Sequence, residues 1–435
     1  MWRWGFEEVQ TFVRKFGSNF VYSLPWVAAI FVDHSGSDLF NIPADLGGLL
    51  TLALMASLIT SGGFVQMIVR RGQFYTCLHE FALARLVCNL FVRMGCIVTC
   101  LCATVGLLVG FYAGAFPSSY VFVAFIYYLL LSFLWLLCAL LAVEKRSGSI
   151  LVSVATPAVT YALMQTVMAA SPAVAQLVAA GAGVAVAWAA TRHGVLARES
   201  ARRDGEMVLP RRSVLLLISA PYFIYGVGYF SFLFADRFAA GAAIPFGSGL
   251  YYGIAADYKK VMDAALLTFL ASTGLVEYLN HKFMHFWYTG ARSRVVHDAH
   301  AFTQALRRRH TAYSLLLTAL SSLVGVLSYS VLVRSDSDNL GLIGLAVIGN
   351  LGYVLLSLAL FNAVLLFSLR RPSAVLRALW PALVVHLCAS YLLARAVHPR
   401  LATVGLALGS LIFVLRARKF ALEAISEPDY AYYAG

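Results

Sequence analysis

Three consecutive stretches decide the fold: AVAQLVAAGAGVAVAWAAT (173–191), RHGVLARESARRDGEMVLPRR (192–212) and SVLLLISAPYFIYGVGYFSFLFA (213–235). The outer two are apolar and carry no ionisable charge. At about 1.5 Å rise per residue, each is long enough to cross a hydrocarbon layer about 30 Å thick. The segment between them is polar and rich in arginine. An apolar run, a basic turn and a second apolar run describe a chain that crosses a bilayer, turns in water and crosses again.

The same alternation extends over the whole sequence. Of 435 residues, 61% are hydrophobic and only 12% charged, about half the charge of an ordinary soluble domain. Apolar stretches fall near 17–32, 46–69, 94–115, 119–142, 149–169, 173–191, 213–235, 261–279, 312–333, 341–369, 379–396 and 401–416. The expected fold class is therefore an all-α polytopic membrane protein of about 12 transmembrane helices. The first sixteen residues carry both charge signs and lack a small-residue cleavage motif, which argues against a removed signal peptide. The seven cysteines form no CxxC pair and no disulfide pattern.

Lysine and arginine set the orientation. With the N-terminus in the cytoplasm, alternate segments hold all of the 33 basic residues except Arg237, Lys259, Lys260, Arg334, Arg395 and Arg400. Positive charge is retained on the cytoplasmic side. The chain therefore reads as a multi-pass protein of the bacterial inner membrane with both termini cytoplasmic. The net charge of +13 is topological, and no nucleic-acid partner is expected. The basic linker 192–212 falls after the sixth helix and divides the chain into six-helix halves, 1–191 and 213–435, a recurrent transporter plan. No sequence repeat relates the halves. Pro25 interrupts the first helix of one half, and Pro221 with Gly226 and Gly228 that of the other.

Helix seven carries the strongest intramembrane pattern, PYFIYGVGYFSFLFADRF (221–238). Tyr222, Tyr225 and Tyr229 follow i, i+3, i+7 spacing, and Asp236 projects onto the same sector. Such a face offers stacking surface with polar handles and suits a sugar polymer sliding past. It fits equally an interfacial aromatic belt with an Asp236–Arg237 pair at the membrane edge. Helix eight places Asp263 and Glu277 on nearly one face, about 21 Å apart along the axis. Ionisable groups within a span face an interior or a cavity unless they snorkel to an interface. The candidate substrate path is Tyr222, Tyr225, Tyr229, Asp236, Arg237, Asp263 and Glu277. Asn19, Gln66, Asn350 and Asn362 are weaker candidates, since a membrane asparagine more often bonds a neighbouring helix.

The eighth loop imitates an enzyme. His281 and His285 form HxxxH, and His297 and His300 form HxxH, resembling the histidine boxes of membrane di-iron hydroxylases and desaturases. Two irons need about eight imidazole or carboxylate ligands, and this chain lacks the further histidine-rich box. Imidazole ligation is under-supplied, so neither an enzyme nor a metal or other cofactor is expected. An amphipathic surface helix is the alternative. Its Phe283, Phe286, Trp287 and Tyr288, with Arg307, Arg308 and Arg309, form a candidate docking surface for a partner. No Walker A, GxGxxG or GxSxG sequence is present.

Several segments resemble the PelG family, transporters of the Pel exopolysaccharide within the polysaccharide flippase and multidrug exporter superfamily. They are YFSFLFADRF (229–238), YYGIAADYKKVMDAALLTFLASTGLVEYLNHKFMHFW (251–287), ARSRVVHDAHAFTQALRRRH (291–310) and DNLGLIGLAVIGNLGYVLLSLALFNAVLLFSLRRPSAVLRAL (338–379). In the first half, LTLALMASLITSGGFVQMIVRR (50–71) resembles the family's second helix, while the glycine-rich N-terminal signature of the family is missing. The resemblance implies a two-lobed carrier with a central cavity that passes an N-acetylhexosamine-rich polymer across the membrane. It also implies partners: a cytoplasmic glycosyltransferase and a membrane scaffold or cyclic-di-GMP receptor subunit. A lipid-linked oligosaccharide flippase and a small-molecule exporter are neighbouring alternatives.

Overall fold

The computed structural model describes residues 43–113, 117–194, 196, 210–243, 256–294, 299–335 and 340–427. Described residues form eleven long helices: α1 (Ala44–Cys77), α2 (Phe81–Ala113), α3 (Ser118–Val143), α4 (Ser147–Thr166), α5 (Pro172–Arg192), α6 (Arg212–Ala242), α7 (Ala256–Arg294), α8 (Ala299–Ser335), α9 (Leu340–Ser368), α10 (Pro372–Ala396) and α11 (Ala402–Ser426). A short 3-10 turn, Pro399–Leu401, precedes α11. Eleven described segments are long and apolar enough to cross a membrane. Helices are the expected outcome in lipid, where each backbone N–H must find its carbonyl within the segment. The expected first helix, 17–32, with Asn19, and most of the linker lie outside the described residues.

Several helices run well beyond the apolar stretches that announced them. α7 was expected over 261–279 and spans 39 residues, and α8 was expected over 312–333 and begins at Ala299. Hydropathy reports only the length that lies in hydrocarbon. The helical hydrogen-bond ladder continues wherever one face still finds packing, and here Phe283, Trp287, Phe302 and Leu306 supply it, all buried. The eighth loop is thus largely helix, with 295–298 outside the described residues.

The chain divides into two compact units, and the division falls inside α6, between Phe234 and Ala235. The first unit holds α1–α5 and the start of α6. In it α1 packs on α2 and α3, α3 on α2 and α5, and α4 on α5. The second unit holds the end of α6 and α7–α11. There α7 packs on α8 and α9, α9 on α8 and α11, and α10 on α11. The packing order is the same after a shift of six helices. Details repeat with it. The α3–α4 and α9–α10 connections each close on a basic residue in left-handed conformation, Lys145 at φ 57° and Arg370 at φ 56°. Each is followed by a basic residue whose N–H reaches back five positions, Arg146 to the Leu141 carbonyl at 3.0 Å and Arg371 to the Leu366 carbonyl at 2.9 Å. Both turns cap a helix C-terminus, where basic side chains complement the exposed carbonyls. Both α4 and α10 carry an internal proline, Pro157 and Pro381.

Both described ends of the basic linker are held in the first unit. Leu196 and Leu215 join one apolar cluster with Phe64, Met67, Ile68 and Val87. The Leu196 N–H donates to Glu144 Oε1 at 3.1 Å. α1 and α6 cross where Gly226 meets the Gly62 carbonyl, a contact that leaves no room for a Cβ. Next to it, Pro221 interrupts the α6 hydrogen-bond ladder. Arg71 satisfies this stretch from α1, donating to the Ile218 carbonyl at 2.9 Å and to Ser219 Oγ at 3.2 Å.

Candidate functional site

The second unit encloses an ionic cluster built from four elements. The end of α6 supplies Asp236 and Arg237, α7 supplies Tyr258 and Asp263, α9 supplies Tyr353 and α11 supplies Thr403. Asp236 is 0%, Arg237 2% and Asp263 6% exposed. The expected pair at the membrane edge is thus an interior pair. Arg237 Nη2 donates to Asp263 Oδ1 at 2.7 Å, and Nη1 donates to the Tyr353 hydroxyl at 2.9 Å. Tyr258 donates its hydroxyl proton to Asp236 Oδ2 at 2.9 Å, and Thr403 donates to the Tyr258 oxygen at 3.3 Å. Asp236 Oδ1 accepts no hydrogen bond from any described residue and faces Arg237 Nη1 at 3.5 Å.

Adjacent residues of a helix point about 100° apart, so Asp236 and Arg237 reach different neighbours from one turn. Asp236 meets Tyr258 near the start of α7, and Arg237 meets Asp263, a little over one turn further on. Sequence reading found the three charged members and missed Tyr258, Tyr353 and Thr403. A lone tyrosine within an apolar span such as α9 is a usable signal, because a buried hydroxyl takes a partner. What it cannot reveal is which charged group that partner is.

The tyrosine stripe of α6 belongs to the first unit. Tyr225 is 4% exposed and stacks on Tyr229, with ring centroids 5.7 Å apart. Tyr229 is half-buried and meets Phe230 edge-on at 5.2 Å. Tyr222 is half-buried beneath the Arg71 guanidinium, 5.8 Å from its ring centre. Glu277 is exposed on α7. Among the path candidates, Tyr222, Tyr229 and Glu277 therefore retain accessible surface, whereas Tyr225, Asp236, Arg237 and Asp263 are closed off in this conformation.

The docking expectation needs one correction. Phe283 and Trp287 are 0% and 1% exposed and pack on Phe302 and His310, so neither can form an external surface. They fall on the buried face of a continuous α7, whereas a separate surface helix would have turned them outward to lipid. Phe286 is half-buried beneath Arg309, 3.7 Å away. Tyr288, Arg307, Arg308 and Arg309 are exposed.

Among the described residues the histidines do not assemble. His281, His285 and His300 are exposed, and His297 lies outside the described residues. No group of three or more His, Cys, Asp or Glu among the described residues is placed to hold a metal ion. Asn350 and Asn362 make the interhelical bonds expected of membrane asparagines. Thr268 donates to Asn350 Oδ1 at 2.7 Å, and His310 Nε2 pairs with Asn362 Oδ1 at 2.9 Å. Gln66 is half-buried.

The described residues thus form a helical membrane chain that repeats one packing plan and buries charge within the second copy. Solved structures define that class further: the fold is that of the MATE transporters of the MOP superfamily. Over 97% of this chain and 95% of the other, it superposes on an inward-facing multidrug resistance MATE family transporter of the MOP superfamily, with TM-score 0.64 and 12% identity. A MATE protein in complex with MaD5 matches over 96% of both chains, with TM-score 0.67 and 12% identity. A mutant of the Vibrio cholerae MATE transporter VcmN matches over 98% and 99%, with TM-score 0.63 and 14% identity. No protein-family model matches the sequence, and no curated protein matches it.

Proposed function

We propose that this chain is an inner-membrane transporter that carries an exopolysaccharide of the Pel type, an N-acetylhexosamine-rich polymer, across the cytoplasmic membrane. The observation that supports the carrier is the MOP-type fold, shared over nearly the full length of both chains. The polymer follows from the PelG-like segments between residues 229 and 379. A polymer in transit needs weak, repeated contacts, because one tight site would stall it. Tyr222 and Tyr229 offer ring faces, and the exposed Glu277 carboxylate accepts hydrogen bonds from hydroxyls and amides. Tyr225 stacks on Tyr229. A glycosyltransferase or scaffold subunit docks on Tyr288, Arg307 and Arg308, with Phe286 and Arg309 at the edge of that surface.

The test is export per unit of membrane protein in a strain whose own polymer exporter is deleted. Restored extracellular polymer, reduced by Tyr229→Ala and Glu277→Gln at unchanged abundance, supports the reading. One structural neighbour is a multidrug resistance transporter, which favours small-molecule export as the second reading. Drug tolerance raised by expression, with no polymer exported, would establish that alternative. A lipid-linked oligosaccharide flippase would instead restore a lipid-linked glycan to the outer leaflet.

A further inference from the structure

The α3–α4 turn and the end of α5 bring a group of cations to one place in the first unit. Arg146 Nη1 reaches across from the turn to the Ala190 carbonyl at 2.6 Å. That carbonyl lies in the last turn of α5, where helix geometry leaves acceptors free for a cation. Two residues further on, the Arg192 guanidinium lies over the exposed Trp188 ring, 3.7 Å from its centre. Such stacking holds a guanidinium by its face and leaves the N–H groups on its edge to donate outward. Lys145, beside Arg146, is exposed. The one carboxylate of the turn points inward. Glu144, with 5% of its side chain exposed, accepts from the Leu196 N–H at 3.1 Å and stands 3.8 Å from Arg146.

Toward the middle of the helices the same surface turns apolar. Trp188 lies one turn before Arg192, and Leu151 and Val152, in the second turn of α4, are exposed. Gly148 is exposed between them and the turn, and a Cβ there would meet nothing within 4 Å. A ligand that matches this surface carries an anion at one end and hydrocarbon at the other. We propose that the surface binds an anionic phospholipid such as phosphatidylglycerol. Lys145, Arg146 and Arg192 hold its phosphate through charge-assisted hydrogen bonds, and its acyl chains lie along Leu151, Val152 and Trp188.

The corresponding place in the second unit has a different charge. Under the shift of six helices, the α9–α10 turn and the end of α11 take the parts of the α3–α4 turn and the end of α5. There Arg371 stands 4.0 Å from Glu427, the exposed residue that follows α11. A carboxylate thus closes the second turn where the first has Arg192 on Trp188, and the phosphate site belongs to the first unit. Residues 197–209 carry Arg198, Arg202 and Arg203 against Glu199, Asp204 and Glu206, so the chain that follows Leu196 adds no net charge. The inference needs only a chain that spans a membrane and is independent of the polymer.

The experiment is native mass spectrometry of the purified full-length chain in detergent, titrated with dioleoylphosphatidylglycerol or dioleoylphosphatidylcholine. The native chain should bind the phosphatidylglycerol more tightly. Lys145→Gln with Arg192→Gln should cut that preference by about five-fold per residue removed. Arg370→Gln with Arg416→Gln, which removes two exposed arginines from the second unit, should leave it unchanged. Trp188→Leu keeps every charge but frees Arg192, so it should also lower the preference, and it decides the matter if the double variant does not fold. A native chain with no preference overturns the proposal. So does a preference that the first-unit variants leave intact, or that the second-unit pair lowers as much. Equal affinity for glycerol phosphate, which has the anion without acyl chains, overturns it too, because the site would then bind a soluble phosphate ester.

Discussion

Replacing Arg237 by methionine should be among the most damaging single changes in the second unit. The side chain is 2% exposed and makes the 2.7 Å bond to Asp263 and the 2.9 Å bond to Tyr353. Methionine fills much of the same volume and restores neither bond. Asp263 would be left as a buried carboxylate without the Arg237 guanidinium. Breaking a buried pair from one side costs about 3–5 kcal/mol, while replacing both partners by apolar groups is often neutral. By the usual scaling for a unit of this size, that loss lowers the melting midpoint by about 6–20 °C. The assay is thermal unfolding of the purified chain in detergent, followed by intrinsic fluorescence. Arg237→Met should melt early, and Arg237→Met with Asp263→Leu should recover most of the loss. A single variant within about 1 kcal/mol of native, or a double variant whose loss is the sum of the two, would refute the assignment of Arg237 and Asp263 as a desolvated pair.

Gly226→Val should destabilise the first unit by at least about 1–3 kcal/mol of overpacking, because Gly226 lies against the Gly62 backbone. Gly106→Ala, where a Cβ meets nothing within 4 Å, should be neutral or stabilising in the same thermal assay. Lys145→Gly and Arg370→Gly, both at left-handed positions, should each gain about 1 kcal/mol from relief of backbone strain. An unchanged midpoint in both would show that the lost carbonyl contacts of the basic side chains outweigh the strain. Single cysteines at Ser35, Ser248 and Ser337, in a cysteine-free background, should react with an impermeant thiol reagent applied from outside, whereas one at Asp204 should not. Replacing His281, His285, His297 and His300 by glutamine should leave export intact and the metal content of the purified chain unchanged. Loss of stoichiometric iron with loss of export would restore the hydroxylase reading.

The sequence alone determined the class of solvent this chain meets. Apolar runs of bilayer length force helices, because lipid offers no other partner to the backbone, and the spacing of arginines and lysines implies a direction of crossing. It also singled out Asp236, Arg237 and Asp263, since ionisable residues next to apolar spans are conspicuous. Tertiary structure decided the rest. Whether Asp236–Arg237 sat at an interface or inside depended on Tyr258, Asp263, Tyr353 and Thr403 converging from three other helices, separated from it by up to 167 residues of chain. No local pattern encodes that convergence. Phe283 and Trp287 looked like a docking surface because hydropathy cannot say which face of a helix meets a neighbour beyond the bilayer. The repeated packing of α1–α5 and α7–α11 shows in residue identity only at isolated places, the basic pairs 145–146 and 370–371 and the prolines 157 and 381. Packing order survives any substitution that keeps small residues at close crossings and apolar ones at the contacts, so the two units share a plan while the buried charged cluster lies in the second.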